Sequence, residues 1–209
     1  MNTLPTAKTI LCYGDSNTHG QIPATRSRYP ATTRWTGLLQ GMLKDTHYVI
    51  EEGLGGRTVD MDEPRRPGRN GYEYFLPCLD SHQPLDQVII MLGTNDVKTQ
   101  FNRSVAAIVQ GLDRYINAVR KYDATVLLVS PIILDPQAAQ WKFFAEGHFD
   151  AASVDKSKQL VGQLGDLAAH KGCDFMAASS IVTPGVDGIH LDETAHRLFA
   201  EALAAKLRQ

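Results

Sequence analysis

The sequence predicts a three-layer α/β/α sandwich on a central parallel sheet, and three observations predict it. Five short apolar runs rich in β-branched residues recur along the chain: Thr9 to Tyr13, Tyr48 to Glu51, Gln87 to Leu92, Thr125 to Val129 and Cys173 to Met176. Two of them, Val88-Ile89-Ile90-Met91-Leu92 and Val126-Leu127-Leu128-Val129, are continuously apolar, as strands covered on both faces must be. Segments of helical period lie between the runs, and this alternation of strand and helix is what a layered α/β architecture requires.

Taken in order, the first run leads straight into a polar turn. A stripe from Trp35 through Leu38, Leu39, Met42 and Leu43 gives a helix before the second run. Asp60 to Gly71 follows, too rich in Pro, Gly and charge to be an element. Beyond the third run, Ser104 is a good N-cap for the clearest helix. Its apolar stripe is Val105, Ile108, Val109, Leu112, Ile116 and Val119, and it closes on Arg120 and Lys121, where cations suit the helix dipole. The fourth run opens through Pro131 into Ile132 to Asp150, a long segment carrying Pro136, Trp141, Phe143 and Phe144. Weaker stripes then run from about Ser153 through Leu160, Leu164, Leu167 and Ala168, and from Thr194 through Leu198, Phe199, Ala202 and Leu203. No repeat, low-complexity tract or linker divides the chain, and 209 residues suffice for one domain spanning 1–209. The two long segments follow strands at their carboxyl ends, where α/β sheets bind ligands, and are candidate walls of a site.

Composition narrows the function classes. With 43% hydrophobic and 21% charged residues the chain is globular, which excludes disordered, collagenous and coiled-coil classes. The 21 Lys+Arg against 23 Asp+Glu leave a formal charge of −2, so no basic field draws in nucleic acid, and no such partner is expected. Cys12, Cys78 and Cys173 are too scattered for a disulfide framework or a cysteine zinc site, and read as buried small hydrophobes in a reducing compartment. The first eight residues lack the pattern of a signal peptide and no apolar run reaches membrane-spanning length, so the expectation is a cytoplasmic protein without a membrane partner.

Four blocks can carry chemistry. The first strand runs into Tyr13-Gly14-Asp15-Ser16-Asn17-Thr18-His19-Gly20, where glycines flanking a serine permit a tight bend that presents its hydroxyl. The bland alternative is a well-capped turn, since Asp, Ser, Asn and Thr all favour one. Near the end, Val186-Asp187-Gly188-Ile189-His190 places an acid and an imidazole three positions apart, so the carboxylate can fix the tautomer that accepts a serine proton. Alone, this could equally be an Asp-Gly turn with an incidental histidine. After the most apolar strand, Leu92-Gly93-Thr94-Asn95-Asp96 offers the Asn95 amide to an oxyanion, or simply makes an Asx turn. After the second strand, Gly53-Leu54-Gly55-Gly56-Arg57-Thr58 could bring a backbone N–H against a substrate oxygen, or is a glycine turn. The combination is informative where each block alone is not.

In this order the blocks Gly14-Asp15-Ser16, Gly93-x-Asn95-Asp96 and Asp187-x-x-His190 resemble the SGNH (GDSL-type) hydrolase family. The longer strings Ile50-Glu51-Glu52-Gly53-Leu54, Ile90 to Asp96 and Val186 to His190 are similar to a bacterial branch of arylesterases and acetylesterases, some of which also transfer acyl groups. The resemblance implies a flavodoxin-like sandwich with a five-stranded parallel sheet and no metal or coenzyme. It implies Ser16 as nucleophile, His190 as general base and acid, and Asp187 as its orienting carboxylate. The oxyanion hole would comprise the Ser16 N–H, the Asn95 side chain and a glycine N–H, with Gly56 preferred and Gly55 left open. Asp15, Asn17, Gly55, Trp141, Phe144 and Ile189 are candidate pocket residues. Two departures stand out: Asn17 where the common pattern has Leu, and Arg57 where an acidic residue is frequent.

The function expected is hydrolysis of small, acetyl-type esters through an acyl-enzyme, with acyl transfer or perhydrolysis where an alcohol or peroxide competes with water. Alternatives are a thioesterase or lysophospholipase for longer chains, an inactive scaffold, or a non-catalytic phosphate-binding protein. The last is disfavoured because Gly14 to Gly20 lacks a P-loop lysine and dinucleotide glycine spacing. The aromatic cluster Trp141, Phe143 and Phe144 suits a subunit interface, so a homo-oligomer is expected. Among the other histidines no metal-ligand spacing is visible, and His19 alone is placed to reach the pocket mouth.

Overall fold

In the computed structural model, which describes residues 5–140 and 148–208, every apolar run forms a strand. These are β1 (Lys8–Gly14), β2 (His47–Gly53), β3 (Gln87–Met91), β4 (Thr125–Ser130) and β5 (Asp174–Ala177). They pair in parallel as one five-stranded sheet in the order β2-β1-β3-β4-β5. The helices are α1 (Ser16–His19), α2 (Trp35–Met42), α3 (Gly71–Ser81), α4 (Val105–Val119), α5 (Ala151–Lys171) and α6 (Glu193–Leu207).

Side chains alternate across each strand, so both faces of the sheet are apolar and each needs a cover. Leu11, Tyr13, Val88, Ile90, Val126 and Leu128 face α3, α4 and α5. Ile10, Cys12, Ile89, Met91, Leu127 and Val129 face α2 and α6. Each fully buried Leu, Ile or Phe in these two layers stabilises the fold by ~1.5–3 kcal/mol, which explains why the strands are continuously apolar. The expected cap holds on α4, where the Ser104 side chain accepts the Ala107 N–H. Asp150 and Ser153 form a capping box on α5, and Asp192 caps α6.

Helix α3 is absent from the sequence expectation, and its composition explains why. It begins on Gly71 and carries Pro77 in its interior, where a proline removes a backbone hydrogen bond. Burial of Phe75, Cys78 and Leu79 against the sheet outweighs that cost. Cys173 is half-buried rather than buried. Among the described residues, no helix is long and apolar enough to cross a membrane.

The register sets the stage for a site. Gly14 lies opposite Gly53 on one side and Met91 on the other, so β1, β2 and β3 finish at one level. Chain order reverses between β1 and β3, and the crevice beyond the carboxyl ends at such a point is where α/β sheets bind ligands. The described parts of both long segments lean on this end. Residues 60–70 are tied by a bridge between Thr58 and Asn70, and Leu134-Asp135 meets the loop before α6 through an Asp135 N–H to Gly188 carbonyl bond of 3.0 Å. Trp141, Phe143 and Phe144 lie outside the described residues.

Candidate active site

Gly14 ends β1 because the chain must fold back over it: a Cβ there would sit 2.0 Å from Thr18 Oγ1 and 2.8 Å from the Met91 carbonyl. Asp15 then caps the single turn of α1, its Oδ1 accepting the Asn17 N–H at 2.9 Å, and Gly20 closes it at φ +82°. The turn is too short to lift its first residue away from the strand end. Ser16 therefore sits at the crevice, 4% exposed.

The loop between β5 and α6 brings the imidazole. It is closed by the Gly185 N–H to the His190 carbonyl at 2.7 Å and by the Gly188 N–H to the Gly185 carbonyl at 2.9 Å, with Gly188 at φ +70°. His190 Nε2 lies 3.0 Å from Ser16 Oγ, and Nδ1 lies 2.7 Å from Asp187 Oδ2. Asp187 is fully buried. Its Oδ1 accepts the N–H groups of Ile189 and His190, both at 2.9 Å, and Oδ2 accepts the Ala24 N–H at 2.7 Å. Burial alone would raise its pKa, but the hydrogen bond and charge of His190, with the backbone donors, outweigh it and hold the carboxyl at about 2. A carboxylate so held keeps its charge and fixes the proton on Nδ1, leaving Nε2 free to accept one from Ser16.

The second block forms a tight turn in which the Arg57 N–H reaches the Leu54 carbonyl at 3.0 Å with Gly56 at φ +81°, a conformation that favours glycine. The Gly55 carbonyl accepts Arg69 Nε at 2.9 Å and Arg66 Nη2 at 3.2 Å. Since the peptide is planar and trans, these arginines also fix the Gly56 N–H, which points the opposite way. Asn95 follows β3 after Gly93, whose φ of +124° turns the chain. Its Nδ2 donates to the Arg57 carbonyl at 3.0 Å, which uses one of two amide hydrogens and sets the side chain beside the Gly56 turn.

A buried frame unites these turns. Arg57 is 3% exposed, lies over the Tyr13 ring at 4.1 Å, and donates to the carbonyls of Gly14 (2.9 Å) and Glu52, tying β1 to β2 below the site. Asp96 accepts the Val59 N–H and pairs with Arg103 at 2.6 Å, tying the third block to the second; burial raises its carboxyl to about 6 despite Arg103. Burial likewise pushes the Asp15 carboxyl up, opposed by the Asn17 N–H.

Ser16, Asp187, His190, Asn95, Gly56, Gly55, Asp15, Asn17 and Ile189 thus converge at the strand ends. Ile189 is 4% exposed and contributes backbone bonds on both sides. His19 packs its backbone against Gly53 and gives its carbonyl to Arg28 Nε at 2.6 Å. Sequence reasoning missed Ala24, whose contribution is a backbone N–H with no side-chain signature, and the Asp96–Arg103 pair, whose partners face each other only after folding. It also missed that Cys78 in the last turn of α3 and His82, the residue that caps its end, meet Glu52 with ligating atoms all within 4.8 Å. Burial pushes that thiol up to about 12, with the nearby Arg57 cation opposing the rise. The group is a His82–Glu52 hydrogen bond of 3.1 Å beside a buried thiol.

The comparisons agree with this geometry. The GDSL-like lipase/acylhydrolase family model matches residues 12–198. The aryl esterase of M. smegmatis is 38% identical with a TM-score of 0.90, covering 97% of this chain and 99% of that one. Est24, a carbohydrate acetylesterase from Sinorhizobium meliloti, is 37% identical with a TM-score of 0.89 over 96% and 98% of the two chains. A putative arylesterase from Agrobacterium tumefaciens str. C58 is also 37% identical, with a TM-score of 0.83 over 96% and 98%. No curated protein matches the sequence. With its serine turn, histidine loop and flavodoxin-like strand order in place, the chain belongs to the GDSL-like lipase/acylhydrolase family and is an esterase of that family.

Proposed function

We propose that the chain hydrolyses small, acetyl-type carboxylic esters through an acyl-enzyme on Ser16. The observation that carries this reading is the unbroken relay from Ser16 Oγ through His190 to Asp187, at 3.0 and 2.7 Å. Ser16 Oγ attacks the ester carbonyl while Nε2 takes its proton, and Asp187 stabilises the imidazolium. The oxyanion is received by the Ser16 N–H, the Gly56 N–H and the second hydrogen of Asn95 Nδ2. Collapse breaks the bond to the leaving alkoxide, which takes the proton from Nε2. Water then gives a proton to Nε2 and attacks the acyl carbonyl, and the second collapse releases the acid and returns the proton to Ser16. An alcohol in place of water yields a new ester, and a peroxide yields a peracid, by the same steps.

The small-acyl choice is supported by the relatives named above, an aryl esterase and a carbohydrate acetylesterase. Steady-state hydrolysis of acetyl and palmitoyl esters of one aryl alcohol, with wild type and Ser16→Ala, tests the reading. The acetyl ester should show the higher kcat/KM and Ser16→Ala should abolish turnover. A palmitoyl preference overturns the small-acyl choice in favour of a lysophospholipase or thioesterase, and undiminished turnover by Ser16→Ala overturns the mechanism.

A further inference from the structure

Asn17 follows the proposed nucleophile directly and is 3% exposed. Its Nδ2 donates to the Ile189 carbonyl at 3.1 Å, and its Oδ1 accepts the Leu191 N–H at 2.9 Å. One carboxamide therefore reads the backbone on both sides of His190, as a neighbouring strand would. The residue is itself immobilised. Its N–H is held by Asp15 Oδ1 at 2.9 Å, and its carbonyl accepts Trp35 Nε1–H at 3.0 Å from a side chain that is 1% exposed.

We infer that Asn17 is a positioning residue that keeps His190 in register with Ser16 through both halves of the reaction. The inference rests on the acyl-enzyme reading above. In the free enzyme His190 is held towards Ser16 partly by the Ser16–His190 hydrogen bond itself. That bond is lost once Oγ carries the acyl group, yet His190 must then activate water from the same place. The Asp187 contacts orient the ring within its own loop but, apart from the Ala24 N–H, do not tie that loop to the serine turn. The two Asn17 bonds join residues 172 and 174 positions apart and involve no atom that reacts, so they persist in the acyl-enzyme.

The arrangement demands a donor and an acceptor on one short side chain. Leucine at position 17 supplies neither, and leaves the Ile189 carbonyl and Leu191 N–H buried and unpaired. Aspartate keeps the acceptor for Leu191 but sets a carboxylate oxygen against the Ile189 carbonyl. Glutamine keeps both groups one methylene too far out.

The test is the kinetics of Asn17→Leu and Asn17→Asp on an aryl acetate, with the second-order rate of a fluorophosphonate probe and thermal unfolding measured beside them. A misplacement of the order of 1 Å in a catalytic group costs roughly a hundredfold, so kcat and the probe rate should both fall by about that factor with KM nearly unchanged. A merely structural residue would lower the unfolding temperature and leave kcat per folded molecule intact. Should Asn17→Leu fail to fold, Asn17→Asp, which preserves size and one bond, carries the same expectation. Folded variants with kcat and probe rate within threefold of wild type overturn the positioning role. If Ser16→Ala is inactive in the same assay, that result leaves the acyl-enzyme reading intact, whereas an active Ser16→Ala fails the reading itself.

Discussion

Asp187→Asn replaces one oxygen of a carboxylate whose acceptor sites are all used, and its outcome can be worked from the geometry. Oδ1 faces two backbone N–H groups at 2.9 Å, and Oδ2 faces the Ala24 N–H and His190 Nδ1, both at 2.7 Å. An NH₂ at the Oδ1 position strands two buried donors. An NH₂ at the Oδ2 position strands only the Ala24 N–H, provided the imidazole moves its proton from Nδ1 to Nε2. Each stranded donor costs ~1–3 kcal/mol, so the second orientation wins. It also places a hydrogen on the nitrogen that should receive the Ser16 proton. Inverting a tautomer in this way lowers kcat about 10⁴-fold, or ~5.5 kcal/mol in activation free energy. Steady-state hydrolysis of an aryl acetate should show that loss with KM little changed, while urea unfolding should show a stability loss of only ~1–3 kcal/mol. A folded Asp187→Asn variant with kcat within tenfold of wild type refutes the assignment of Asp187 as the group that sets the His190 tautomer.

Asn95→Ala should lower kcat and kcat/KM together by about 10²- to 10³-fold, because the lost donor acts on charge present only in the transition state; a change confined to KM would place Asn95 in ground-state binding instead. His196, fully buried with Nδ1 accepting the Trp35 N–H at 3.2 Å, has its pKa lowered from 6.5 to about 4, first by burial. The unfolded chain therefore binds the extra proton first. This term of stability is complete above pH 6.5 and is lost as pH falls to about 4, a difference of ~3 kcal/mol. Urea unfolding at pH 7 and pH 4.5 should show a drop that His196→Gln removes, and an equal drop in the variant contradicts it. At Gly53 an added Cβ would lie 2.1 Å from the His19 nitrogen, so Gly53→Ala should cost at least ~2 kcal/mol; Gly162→Ala, with nothing within 4 Å inside α5, should instead add ~1 kcal/mol. Calorimetry showing equal unfolding temperatures for the two variants would contradict this.

The strands were legible because a parallel sheet covered on both faces requires continuous apolar runs, and Val88 to Leu92 has no polar position at all. Helix α4 was legible because cap and stripe agree, whereas α3 was hidden by Gly71 and Pro77, and with it the approach of Cys78 and His82 to Glu52. Ser16, Asp187, His190 and Asn95 could be named as candidates because the chemistry proposed for them lies in side chains beside recognisable turns. The choice between Gly55 and Gly56 was open from sequence alone. The proposed choice of Gly56 rests on a peptide plane that Arg66 and Arg69 hold from the distant loop, through contacts no local pattern announces. The Asn17 bonds to the backbone around His190 were likewise invisible, since main-chain groups leave no mark on composition. The aromatic wall expected from Trp141 and Phe144 falls outside the described residues.

The measurement that tests the central claim most directly is peptide mass spectrometry after reaction with a fluorophosphonate. The relay at 3.0 and 2.7 Å predicts one stoichiometric adduct on Ser16, formed rapidly in wild type and greatly slowed in His190→Ala. Folded protein that gains no adduct at Ser16, or gains it equally fast without His190, contradicts the account.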